Sequence, residues 1–151
     1  MVSLKVNFFD KVIQIFEIKF SNHLNRVRKF SFLPDRPLKV AVLGSSGAVG
    51  SELLKILEER NFPLHELILL SSARSAGKKV SWKGIELPTQ EVNENSFSNV
   101  DLVFASAGGD ISKYWLNTIK NQDALLIDNS SAFRMRDEVP LIVPEVNPED
   151  V

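Results

Sequence analysis

The chain has 151 residues, 44% of them hydrophobic and 25% charged, which suffices for one ordinary globular domain with a real core and leaves no room for a second full domain. The formal net charge of −1 hides an asymmetry: residues 1–37 hold seven Lys/Arg against three Asp/Glu, and residues 38–151 hold eleven against sixteen. An acidic body without a basic stripe argues against nucleic acid as a partner, and the absence of cysteine rules out disulfides and thiolate metal sites.

His23 and His65 are too few and too far apart for a usual zinc pattern, so no metal is expected. No apolar run reaches the length of a membrane span, and a soluble protein in a reducing, cytoplasmic setting is the expectation. Residues 1–37 place Phe9, Val12, Ile13, Phe16 and Phe20 at helical spacing among basic residues. They read as an N-terminal extension, disordered or loosely packed. A transit peptide addressing a plastid is the alternative, and Asp10, Glu17 and the scarcity of serine count against it. Pro34-Asp35-Arg36-Pro37 holds the backbone away from helix and marks the boundary of a domain that runs from Leu38 to Val151.

From Leu38 the chain alternates strands and helices over short connections, the pattern of an α/β, Rossmann-type doubly wound, mostly parallel sheet. The first strand covers Lys39 to Leu43, and a helix from Ala48 to Arg60 places Val49, Leu53, Leu54 and Leu57 on one face. Asn61-Phe62-Pro63 stops that helix, and a second strand runs from Glu66 to Ser71. A loop over Ala73 to Lys79 leads into a hairpin around Trp82-Lys83-Gly84-Ile85. Val100 to Ala105 reads as a buried strand, Gly108-Gly109 as a turn, Ile111 to Asn121 as a helix with Trp115 and Ile119 inward, and Ala124 to Asp128 as a further strand.

Two segments carry chemistry. In Leu38 to Gly50 an apolar strand runs into Gly44, Gly47 and Gly50 and then into a helix, which forms a phosphate cradle. Gly44 supplies the positive φ of a tight turn, Gly47 admits a pyrophosphate close to the backbone, and Gly50 lets the helix sit against the strand. The spacing Gly-x-x-Gly-x-x-Gly departs from the commoner Gly-x-Gly-x-x-Gly, but the strand before it, the helix after it and a second strand ending about twenty residues on fit a dinucleotide site. That second strand ends in Ser71, Ser72, Arg74 and Ser75 where NAD sites carry an acid, so the expected cofactor is NADP, its 2′-phosphate gripped by Arg74. The other segment is Asp128-Asn129-Ser130-Ser131-Ala132-Phe133-Arg134-Met135, whose hydroxyls, amide and guanidinium suit an oxyanion or phosphate. A capped surface turn with Arg134 paired to Asp137 or Glu138 is the alternative there. A serine nucleophile lacks a base, since neither histidine lies near a strand end.

Together with Glu59-Arg60-Asn61-Phe62-Pro63, Arg74-Ser75-Ala76-Gly77-Lys78-Lys79, Ser106-Ala107-Gly108-Gly109 and Val143-Pro144-Glu145-Val146-Asn147-Pro148, these segments resemble the aspartate-semialdehyde dehydrogenase family from Leu38 to the last residue. The resemblance implies reductive dephosphorylation of L-aspartyl-4-phosphate by NADPH to the semialdehyde and phosphate, on the route to lysine, methionine and threonine. It also implies roles. Ser46, Gly47, Ala48 and Val49 wrap the pyrophosphate, Arg74 and Ser75 hold the 2′-phosphate, and Ser106, Ala107, Gly108 and Gly109 border the cofactor. Arg134, with Asn129 and Ser130, binds the phosphate of the small-molecule substrate. In the family a cysteine thiolate attacks the acyl phosphate and a later histidine acts as acid and base. Neither position occurs here, and the resemblance places both beyond Val151. It thus implies the N-terminal part of a two-domain, homo-oligomeric enzyme, inactive by itself. A relative of N-acetyl-γ-glutamyl-phosphate reductase and a non-catalytic NADP-binding remnant are the competing readings.

Overall fold

A computed structural model describes Pro34, residues 36–143, Val146 and Asn147. The helical spacing read over Phe9 to Phe20 lies outside the described residues. So do Pro144, Glu145 and Pro148 of the last family-like motif, and Val151, the expected end of the domain. In chain order the elements are β1 (Leu38–Leu43), α1 (Ala48–Glu59), β2 (Leu64–Ser71), β3 (Lys79–Trp82), β4 (Ile85–Pro88), β5 (Gln90–Glu91), β6 (Leu102–Ala105), α2 (Gly109–Asn121) and β7 (Leu125–Asp128). Short 3-10 turns occupy Ala73–Ser75 and Glu94–Phe97.

Five strands form one parallel sheet in the order β5-β2-β1-β6-β7, and β3 and β4 form a separate antiparallel pair. Strand order therefore reverses at β1. In a doubly wound sheet the crevice outside the carboxyl ends of the strands on either side of that reversal, here β1 and β6, is where ligands bind. This is the Rossmann-type architecture that the alternation of elements predicts.

Side-chain alternation explains why both faces are covered. Leu38, Val40 and Val42 of β1, with Leu102 and Phe104 of β6, join Leu53, Leu54, Ile56 and Leu57 of α1 in one core cluster. Ala41, Leu43, Val103 and Ala105 point the other way, onto Trp115 and Ile119 of α2 and onto Phe97. A strand buried on both faces reads as a continuous apolar run, which is how β6 and, from Val40 onward, β1 appear in the sequence. The hairpin turns on Lys83 (φ 48°) and Gly84 (φ 76°), both in the left-handed region that a two-residue turn with the strands' own twist requires. Through buried Trp82 it packs on the α1 side of the sheet.

Several boundaries differ from those expected. β2 begins at Leu64 and thus includes His65, whose Nδ1 lies 2.8 Å from the Pro37 carbonyl oxygen. Two hydrogen bonds from Arg36 to the Asp101 carboxylate, at 2.9 and 3.0 Å, tie that residue to the body as well. The attachment thus reaches back at least to Arg36. α2 starts at Gly109, earlier than its apolar pattern, and α1 ends at Glu59, with Arg60 as its cap. Among the described residues no helix is long and apolar enough to cross a membrane.

Candidate functional site

The site grows out of the turn after β1. Gly44 takes φ +90°, and a Cβ there would lie 2.8 Å from the Ala107 backbone nitrogen. Gly44 N–H and Ser45 N–H both donate to the Leu70 carbonyl, at 2.9 and 3.2 Å, and the fully buried Ser45 hydroxyl donates to the same oxygen at 3.2 Å. The turn is thereby fastened to β2 on one side. On the other, Ser106 N–H donates to the Leu43 carbonyl at 2.9 Å, and its hydroxyl lies 3.2 Å from that oxygen and 3.3 Å from the Gly44 carbonyl oxygen.

Each glycine of the motif has a distinct reason. At Gly50 a Cβ would sit 2.3 Å from the Gly44 carbonyl oxygen, so only glycine lets α1 start this close to the turn. Gly47 is different: its backbone is extended (φ −85°) and a Cβ would meet only the Gly44 oxygen at 3.4 Å. Nothing among the described residues demands glycine at this exposed position. The first helical hydrogen bond runs from Ser51 N–H to the Gly47 carbonyl at 2.9 Å, which leaves the N–H groups of Ala48, Val49 and Gly50 ahead of the helical ladder. α1 has no side-chain cap and no acid in its first turn, so its positive end is unopposed. An open backbone beside Gly47 and an uncapped helix end fit a phosphate group.

At the end of β2 the 3-10 turn Ala73–Ser75 exposes Arg74 and draws Ser75 inward, to 9% exposure. The Arg74 guanidinium makes no hydrogen bond or ion pair among the described residues. Neither Ser71 nor Ser72, which close the strand and precede the turn, supplies a carboxylate.

After β6 and β7 the chain again turns at strand ends. Gly108 caps α2 with φ +99°, and Gly109 opens the helix against Ala132 and the Ser130 hydroxyl, 3.6 and 3.7 Å from where its Cβ would be. This brings the Ser106–Gly109 loop onto the 130–132 segment. That segment is held by its own bonds: Ser130 N–H donates to Asp128 Oδ1 at 2.5 Å, Ala132 N–H donates to Ser130 Oγ at 3.0 Å, and Arg134 Nε–H donates to the Ser130 carbonyl at 3.1 Å. The bond through Nε orients the exposed Arg134, whose terminal nitrogens have no partner among the described residues. The expected alternative, a pair with Asp137 or Glu138, is not what forms; Arg136 takes Glu138, at 3.6 Å. Asn129 continues the strand end, its N–H donating to the Ala105 carbonyl at 3.1 Å. Asp128 Oδ2 is buried with no partner among the described residues, a cost that a donor arriving at this strand end would relieve.

All the candidate residues thus lie at the carboxyl edge of the sheet. Gly44, Ser46, Gly47, Ala48 and Val49 follow β1, and Arg74 and Ser75 follow β2. Ser106, Ala107, Gly108 and Gly109 follow β6, and Asn129, Ser130 and Arg134 follow β7. Direct contacts join the first, third and fourth groups, while the β2 group is linked to the first through Leu70. The cysteine and histidine expected beyond Val151 have no counterpart at this edge. The chain holds no cysteine, and His65, the only histidine among the described residues, sits at the start of β2, at the opposite edge of the sheet. Ser45, which bonds the Leu70 carbonyl, and Thr89, which bonds the Arg74 loop, stand outside the residues expected from the sequence, and their bonds appear only in three dimensions.

A family model described as "Semialdehyde dehydrogenase, NAD binding domain" matches residues 39–151. The aspartate-semialdehyde dehydrogenase of Prochlorococcus marinus is 58% identical over 118 residues, covering 78% of this chain and 34% of that protein. Among solved structures, aspartate semialdehyde dehydrogenase II of Vibrio cholerae, complexed with ASA, is similar at 43% identity with a TM-score of 0.72, over 76% of this chain and 37% of the other. The Candida albicans enzyme solved with NADP is similar at 31% identity with a TM-score of 0.62, over 74% and 35%. The chain spans about a third of the length of the curated relatives it matches. On these matches and on its five-stranded parallel sheet, the chain belongs to the semialdehyde dehydrogenase family, as its NAD-binding domain, and its named relatives are aspartate-semialdehyde dehydrogenases.

Proposed function

We propose that residues 38–151 form the NADP-binding part of an aspartate-semialdehyde dehydrogenase, which converts L-aspartyl-4-phosphate to the semialdehyde and releases phosphate. The reading rests above all on Arg74, a guanidinium with no hydrogen bond or ion pair among the described residues, at the end of β2 where an NAD site carries an acid. NADPH, when bound, supplies the hydride. The protein's own contribution is binding and orientation.

The uncapped N-terminus of α1 offers its first N–H groups to the pyrophosphate, and bare Gly47 keeps the approach open. Arg74 offers a bidentate fork to the 2′-phosphate, with Ser75, whose hydroxyl has no hydrogen bond among the described residues, next to it in the chain. Ser106 to Gly109 wall the crevice at the strand reversal. Arg134, aligned by its Nε bond to Ser130, presents two further nitrogens to the substrate phosphate, with Asn129 and Ser130 alongside. The chain holds no cysteine, so these residues do not themselves supply the attacking thiolate of this family's reaction. A homo-oligomeric, cytoplasmic enzyme acting on a small molecule accords with this role.

A chimaera tests the reading. Residues 38–151 replace the matching third of the Prochlorococcus marinus enzyme, and NADP reduction by aspartate semialdehyde and phosphate is followed by absorbance. The expected result is phosphate-dependent turnover with NADP. A folded, inactive chimaera that binds neither NADP nor phosphate would contradict it.

A further inference from the structure

Thr89 joins β4 to β5, is 3% exposed, and spends all three of its polar groups on one short segment. Its Oγ1 donates to the Ser75 carbonyl at 2.6 Å, its N–H donates to the Lys78 carbonyl at 2.8 Å, and its carbonyl accepts from Gly77 N–H at 2.8 Å. Residues 75–78 are the exit from the turn that carries Arg74. Among the described residues the Ser75 carbonyl receives one other bond, a longer one of 3.2 Å from Lys78 N–H.

The frame closes on itself. Immediately after Thr89, β5 pairs with the end of β2, Leu70 opposite Gln90 and Ser71 opposite Glu91. Val92 N–H donates to the Ser71 carbonyl at 3.0 Å. Both ends of the Arg74 turn are therefore anchored: its start by β2 itself, its exit by Thr89, and the two anchors to each other through β5. Because Arg74 has no side-chain partner of its own among the described residues, its position is set by this backbone alone. A long side chain on a held backbone loses less freedom on meeting an anion than one on a loose loop.

We propose that Thr89 is a positioning residue for cofactor choice: by holding the Ser75 carbonyl, its buried hydroxyl fixes the turn from which Arg74 reaches the 2′-phosphate. The inference rests on the NADP reading above. Thr89→Val removes the hydroxyl while keeping shape and both backbone bonds, and Thr89→Ser restores the hydroxyl.

The test is fluorescence titration of the chain with NADPH and with NADH, for wild type, Thr89→Val, Thr89→Ser and Arg74→Ala. Thr89→Val is expected to weaken NADPH about three- to tenfold, the size of one hydrogen bond, with NADH little changed and Thr89→Ser near wild type. Two results would each overturn the proposal: an unchanged NADPH/NADH ratio in Thr89→Val, whether neither affinity falls or both fall equally, or no rescue by serine. If Arg74→Ala left the ratio at its wild-type value, the failure would instead lie in the NADP reading.

Discussion

Gly50 stands so close to Gly44 that a Cβ on it would lie 2.3 Å from the Gly44 carbonyl oxygen, while Gly47, between them, would accept a Cβ at an ordinary 3.4 Å. The two positions separate a glycine that packing demands from one that packing does not, and whose bareness the proposed function assigns to a ligand. Gly50→Ala is expected to lower stability by about 1–3 kcal/mol, the cost of forcing a carbon into packed backbone, read from the midpoint of urea unfolding. Gly47→Ala is expected to leave that midpoint nearly unchanged and to weaken NADPH binding. Equal nucleotide affinity in wild type and Gly47→Ala would mean that no phosphate lies against this turn.

Asp101 links the start of β1 to β6. Its carboxylate accepts Lys39 N–H at 2.7 Å and a two-pronged bond from Arg36. The Arg36 side chain is half exposed, so Arg36→Ala is expected to cost less than about 1 kcal/mol. Asp101→Ala also strands a part-buried backbone donor, and a loss of about 2 kcal/mol follows. Equal losses in the two variants, measured by chemical denaturation, would contradict this ranking.

Phe97 is fully buried and meets Trp115 with ring centroids 5.7 Å apart, filling the space under the crossover from β5 to β6. Its replacement by alanine leaves a cavity on the α2 face of the sheet. The expected loss is about 3–5 kcal/mol, visible as a large fall in the unfolding midpoint. A loss below about 1 kcal/mol would show that the crossover repacks freely.

Arg134 offers a test in the chimaera. Arg134→Ala is expected to raise the KM for phosphate about tenfold or more while leaving NADP affinity unchanged, because the residue lies at the β7 end rather than at the Arg74 turn. A KM for phosphate equal to that of the parent chimaera would remove Arg134 from the substrate site.

Much of this architecture is legible in the chain. β6 and, from Val40 onward, β1 announce themselves as continuous apolar runs because both their faces are covered, and Leu53, Leu54 and Leu57 mark the inner face of α1. The glycine motif discloses its turn because two of its three glycines answer to local geometry, a positive φ at Gly44 and a near-clash at Gly50. β5 escapes such reading: Gln90 and Glu91 are polar and exposed, and only pairing with β2 makes them a strand. Thr89 escapes for the same reason, since its three partners lie eleven to fourteen residues back and leave no periodic trace. The orientation of Arg134 depends on a bond to the Ser130 carbonyl, a group that every residue carries.

The most direct test of the central claim is calorimetric titration of the unmodified chain with NADPH and with NADH under the same conditions. NADPH is expected to bind at least about tenfold tighter, the contribution of a charge-assisted, bidentate contact to one phosphate. Equal affinities, or tighter binding of NADH, would contradict it.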